Sequence, residues 1–170
     1  MNAIPNLLIE LRFRSGHLDR TCLRLIAESF AKAAFSRCGS PRFSQVLLLL
    51  HGDRASRAAH AAVMGVPTPT DVITISYEAT PFEPAHAELL VNPMQAARCA
   101  LSRDPETLLP EERSIPWSPS HELALYIAHG FDHLTGADDA SPADYRKMRR
   151  RELKWLATLS ANLLSNLFTP

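Results

Sequence analysis

The 170-residue chain predicts an α+β fold with an α/β-like arrangement: a small mixed four-stranded sheet packed with about five helices. Three observations point that way. Short apolar or β-branched runs alternate with stretches of helical period through the first half. Three cap-plus-proline pairs, Asn92-Pro93, Ser118-Pro119 and Ser141-Pro142, start helices in the second half. The element order is therefore strand, helix, strand, helix, two strands, then helices, which needs a sheet with helices packed against it.

Leu7 to Phe13 alternates in its second half and reads as the first strand, followed by a turn at Ser15-Gly16. Residues 18 to 37 carry Leu18, Cys22, Leu25, Ile26, Phe30, Ala33 and Ala34 at helical spacing, and Gly39 with Pro41 closes that helix. Val46 to Leu50 is a short continuous apolar run, expected to be a strand covered on both faces. An alanine-rich helix over 53–64 ends at Gly65. Val72 to Tyr77 is a β-branched strand with a polar alternate face. Residues 80–84 form a loop, and Glu88 to Val91 a fourth strand. The helix after Asn92-Pro93 runs through Met94, Ala97 and Ala100, and residues 102–118, rich in proline and charge, are expected to be an exposed loop. The helix after Ser118-Pro119 has an apolar stripe of Leu123, Ile127, Phe131 and Leu134. A last helix starts at Ser141-Pro142, with Tyr145, Met148, Leu156, Leu159 and Leu163 inward and a terminus free to fray.

With 46% apolar residues, residues 1–170 are expected to form a single domain with a real core. Eighteen basic and eighteen acidic side chains cancel, so global charge lends nucleic-acid binding no support, and only local patches can. Three widely spaced cysteines, Cys22, Cys38 and Cys99, fit small buried thiols in a reducing compartment. The start, Met1 to Pro5, lacks the features of a signal peptide, and no apolar run approaches a membrane span. A cytoplasmic protein with no membrane partner is expected.

The stretch richest in chemistry is His129-Gly130-Phe131-Asp132-His133-Leu134-Thr135-Gly136-Ala137-Asp138-Asp139. Histidines four apart on a helix share one face, so one tetrahedral cation can reach both imidazoles. Gly136 can stop the helix with a left-handed turn and swing Asp138 or Asp139 under it as a third ligand. Three ligands and an open position are the arrangement of catalytic zinc. The spacing His-x-x-x-His-x-x-Gly-x-x-Asp is metzincin-like, but Gly130 stands where zinc peptidases carry their general base, which argues against peptide hydrolysis. Asp132 lies beside the histidine face, either orienting an imidazole or facing solvent. His121 and Glu122 are expected at the surface, and so are His17, His51, His60 and His86.

These residues resemble the signature His-Gly-x-x-His-x-x-Gly-x-Asp-[His/Asp] of the YbeY family, metal-dependent single-strand endoribonucleases of bacterial rRNA maturation. His129, Gly130, His133 and Gly136 match it, and Asp139 occupies the third-ligand position, usually histidine. Pro69 to Thr74 resembles the family's Pro-Thr-Asp-Val-Leu-Ser segment, and Ala87 to Val91 its Gly-[Asp/Glu]-Ile strand, so the likeness covers roughly residues 43 to 155. The resemblance implies one Zn²⁺ per chain on His129, His133 and Asp139. It also implies a single-stranded rRNA precursor as substrate and the small ribosomal subunit as partner. Thr70 and Asp71 would contact substrate. Better-known members have an arginine five residues before the proline of Pro-Thr-Asp-Val, and Met64 stands there in this chain. Arg57, Arg54 or Arg98 are candidates to replace it. The run Arg146, Lys147, Arg149, Arg150, Arg151 and Lys154 is either a grip on rRNA phosphates or a solvated helix face.

Overall fold

The structure, a computed structural model, describes residues 4–38 and 42–170. Gly39 and Pro41, expected to close the first helix, lie outside the described residues, as do residues 1–3. The central sheet holds β1 (Asn6–Arg12), β3 (Gln45–His51), β4 (Val72–Tyr77) and β5 (His86–Val91) in the order β1-β3-β5-β4. β3 runs parallel to both β1 and β5, with Leu48 opposite Ile9 and Leu89, while β4 closes the edge antiparallel to β5 with Val72 opposite Val91. Parallel neighbours need long crossovers. The first is supplied by a two-residue strand β2 (His17–Leu18) and α1 (Arg20–Phe35), and the second by α2 (Asp53–Met64) and β4.

Local chemistry sets the helix ends. Asp19 accepts the Cys22 amide at 2.8 Å to begin α1. Gly65, at φ 73°, ends α2 in the left-handed conformation that glycine adopts without strain. Asn92 accepts the amides of Met94 and Gln95 to begin α3 (Pro93–Ser102). Helix α4 (Pro119–Leu134), capped by Ser118, is the centre of the molecule. It packs on α1, α3, β4 and β5, and buries twelve of its sixteen residues.

Several expectations need correction. β3 is not covered on both faces: Val46, Leu48 and Leu50 are sealed, whereas Leu47 and Leu49 are only half-buried. The segment after α3 is not a simple exposed loop. A short 3₁₀ turn at Pro110–Glu112 buries Glu112, whose carboxylate meets Arg103 at 3.3 Å and whose carbonyl accepts Trp117 Nε1 at 3.0 Å. Arg103 also binds Glu122, which is therefore buried rather than at the surface, and its guanidinium lies 3.4 Å from the Trp117 ring centre. Buried opposite charges hold this segment down on α4 where apolar patterning gave no sign of it.

The chain's end does not continue as one helix. α5 (Pro142–Leu156) stops, Ser160 caps a short α6 (Ala161–Asn166), and β6 (Phe168–Thr169) pairs with β2. Ser120 Oγ donates to the Phe168 carbonyl at 3.0 Å and accepts its amide at 2.9 Å, so the buried terminus is tied down. Tyr145, expected inward, is exposed, and of the three free cysteines only Cys22 is buried. Among the described residues no helix is long and apolar enough to cross a membrane.

His51, expected in a loop or at the surface, is instead only 2% exposed at the end of β3. Burial pushes its pKa below the ordinary histidine value, and its Nε2 has no hydrogen-bond partner among the described residues. The unfolded chain therefore binds a proton more readily than the fold. The stabilising contribution is complete above about pH 6.5 and is lost as pH falls toward the depressed folded value. Melting midpoints should drop from pH 7 to pH 5, and His51→Leu should flatten that drop; identical profiles for the two proteins would refute the assignment.

Candidate metal centre

Both histidines project from the last two turns of α4, one turn apart because they are four residues apart. The helix then ends as the glycine requires. Gly136 sits at φ 84° and donates its amide to the His133 carbonyl at 2.9 Å, which reverses the chain. Beyond the turn, Asp138 Oδ1 accepts the amides of Asp139 and Ala140 at 2.8 and 3.2 Å. That occupies the Asp138 carboxylate locally and leaves Asp139 turned toward the histidines.

His129 Nε2 and His133 Nε2 lie 3.0 Å apart, and the Asp139 carboxylate approaches them at 3.5 and 3.9 Å. All three donor atoms fall within 4.8 Å of one another. Two ligands about 2.0–2.1 Å from a tetrahedral zinc would sit about 3.4 Å apart, so the spacing accommodates one ion.

The opposite edges of the rings fix which nitrogen is free. His129 Nδ1 donates to Glu152 Oε1 at 2.6 Å, and His133 Nδ1 donates to the Ala137 carbonyl at 3.0 Å. Both Nε2 lone pairs then point into the same space beside a carboxylate, a donor set that calls for a cation. Burial works against protonation of His129, but the hydrogen bond and charge of Glu152, with Asp71 nearby, outweigh it and raise its pKa. Glu152 is itself buried on α5, and its other oxygen lies 3.3 Å from Arg149, which reaches Glu112 at 3.7 Å. The sequence offered no spacing that would have linked Glu152 to a histidine 23 positions away.

A cleft opens over these donors between α2, β4 and the 136–139 turn. Thr70 and Asp71 line it, and so do His60 and Met64. Thr70 is pinned by its amide donating to Ser56 Oγ at 3.0 Å, and Asp71 Oδ1 accepts from Thr70 Oγ1 and the Val72 amide. Arg57 and Arg98 do not line the cleft. Arg57 is exposed on α2, and Arg98 is committed to Asp53 through two hydrogen bonds of 2.7 and 2.8 Å. No lysine or arginine is among the lining residues. Asp132 neither orients an imidazole nor meets solvent: it is fully buried and binds Arg151 and Arg37.

Gly130 has a structural reason. A Cβ there would come within 3.0 Å of Leu89 and 3.1 Å of Val72, because α4 lies directly on β4 and β5. A peptidase-type glutamate has no room at this position.

Comparison with known proteins gives a consistent result. The family model described as Endoribonuclease YbeY matches residues 11–160. A protein named Endoribonuclease YbeY from Rhodopirellula baltica is 36% identical over 99 residues, 58% of this chain, which spans only 45% of that protein's length. One of the same name from Chlamydia pneumoniae is 30% identical over 143 residues, covering 83% of this chain and 87% of the other. The solution structure of TM1509 from Thermotoga maritima superposes with a TM-score of 0.54 at 17% identity, covering 92% of this chain and 93% of that one, a likeness of fold.

The packing at Gly130 carries a direct test. Gly130→Glu, which buries a charge in occupied space, should destabilise the fold by more than about 3 kcal/mol in urea titration. A loss under about 1 kcal/mol would mean that the helix and sheet are not in this contact.

Proposed function

The chain belongs to the Endoribonuclease YbeY family, and from that premise we propose that it is a zinc-dependent endoribonuclease that cuts single-stranded rRNA precursors. The observation that carries this reading is the convergence of His129, His133 and Asp139 within 4.8 Å at the floor of an open cleft. Small-subunit rRNA in the cytoplasm is the substrate this reading implies.

A zinc ion held by those three residues would lower the pKa of a coordinated water toward about 7, supplying a nucleophile at neutral pH. The chain's own residues do the rest. Glu152 and the Ala137 carbonyl hold the two imidazoles in the tautomer and orientation that present Nε2 to the cleft. The Asp138 carboxylate stiffens the turn that delivers Asp139. Thr70 and Asp71, anchored through Ser56 and their own loop, form a fixed wall against which a nucleotide can lie.

A second reading, a metal-holding maturation factor without turnover, is favoured by one observation: Met64 lines the cleft with no cation beside it. Charge developing on a phosphoryl group in the transition state is stabilised by nearby cations, and the side chains of this cleft supply none. A peptidase reading is disfavoured by the packed surroundings of Gly130.

Protein purified without added zinc should contain near-stoichiometric zinc by elemental analysis, with a large reduction in Asp139→Ala. Zinc-loaded protein should cleave an unstructured RNA, and His133→Ala should not. Ribosome co-sedimentation without cleavage would select the non-catalytic factor, and zinc-dependent peptide cleavage would select the peptidase. Met64 is 66% exposed, so an arginine fits there without repacking. Met64→Arg should raise kcat/KM for RNA by about tenfold or more; an unchanged value would show that the cleft does not lack a phosphate-binding cation.

A further inference from the structure

The cleft poses an electrostatic problem for its proposed substrate. Asp71, Asp138 and Asp139 line it and no lysine or arginine does, yet RNA is a polyanion. The cations are next door. A second hollow shares Asp138 with the cleft and is lined by Arg37, Lys147 and Arg151. A third shares Lys147 and Arg151 with the second and adds Arg146, Arg150 and Lys154, with no carboxylate in its lining. The three hollows are therefore neighbours, set in sequence from the metal donors past the 136–139 turn and along one face of α5.

That face is built by the helix period. Positions 147, 151 and 154, and 146 and 150, recur every three or four residues, and the stretch from Lys147 to Lys154 spans about 10 Å. An ordinary solvated helix face mixes acids among its bases. Here Glu152 is buried against His129, and Asp144, bonded to Ser141 at the cap, borders the second hollow alone, so positions 146 to 154 present no exposed acid. Arg146, Lys147 and Lys154 are exposed and form no ion pair among the described residues, while Arg150 has a single exposed partner, Glu111. Arg37 and Arg151 share one buried carboxylate, Asp132, so two guanidinium groups are held in place with one positive charge uncompensated. In a chain whose charges cancel overall, this is a concentrated and positioned positive strip.

Resting on the endoribonuclease reading, we infer that this face of α5 is the path along which single-stranded RNA runs to or from the metal cleft, its phosphates held by Arg146, Lys147 and Lys154. The cleft provides the chemistry and the strip provides the affinity, without sequence preference.

The test uses full-length, zinc-loaded protein and a fluorescently labelled oligouridine, with binding followed by anisotropy across a potassium chloride series. The triple variant Arg146→Gln, Lys147→Gln, Lys154→Gln is compared with Arg14→Gln, Arg20→Gln, Arg24→Gln, which removes the same charge from exposed positions outside all three hollows. The α5 variant should bind about tenfold more weakly or worse at low salt, with the slope of log affinity against log salt reduced by about 2. Its KM for cleavage should rise with kcat unchanged, and the control should match wild type. Equal affinities and slopes for the two triple variants would overturn the path while leaving the cleavage reading intact. Wild-type protein that neither binds nor cleaves RNA would overturn both. Zinc content and melting midpoint report folding. Should the triple variant melt early, Lys147→Gln with Lys154→Gln is read the same way, with a slope loss of about 1.

Discussion

Helix α4 can lie closely against β4 and β5, serving as core while carrying the two histidines, because residue 130 has no side chain. A Cβ at that position would press on the Leu89 and Val72 methyl groups at 3.0 and 3.1 Å, so the seat of the helix on the sheet is set for glycine. From this close seat α4 also reaches α1, α3, α5 and α6, so it touches more elements than any other helix or strand does. Interiors packed to this density transmit displacement rather than absorb it. The two histidines are thereby tied to the core, while Asp139 depends on the turn that Asp138 stiffens.

A second level of order is ionic. Glu112, Glu122, Asp132 and Glu152 are buried, and each meets at least one arginine. Such pairs contribute little net stability over an apolar replacement, but removing one partner strands a buried charge at a cost of about 3–5 kcal/mol. They therefore specify arrangement more than they stabilise it. Arg103 fastens the 103–117 segment to α4, and Arg149 with Glu152 aligns α5 against His129. The same economy separates charge by function: carboxylates gather at the donor cluster, and unpaired cations are left on the outer face of α5.

Much of the fold could be read from local chemistry. The caps at Asn92, Ser118 and Ser141 mark helix starts within a residue, Gly65 and Gly136 mark stops, and the β-branched run at Val72 marks a strand, because each signal acts over a turn or less. The His-x-x-x-His spacing, the following glycine and the aspartates were legible for the same reason. What escaped was non-local. Nothing near His51 in sequence announces that it ends buried, and nothing near Glu112 or Glu122 announces the arginine that makes their burial tolerable.

The sequence by itself therefore determined an α+β chain with a paired-histidine helix, a left-handed stop and an acidic residue beyond it, since these are set by period and backbone sterics. Only the tertiary structure decided that Asp139 rather than Asp138 faces the histidines, that Glu152 and not Asp132 orients an imidazole, and that Arg57 and Arg98 stay outside the cleft. Those outcomes turn on which side chains meet across elements distant in the chain. Such meetings are fixed by how α4 and α5 pack, a relation that no local pattern of residues encodes.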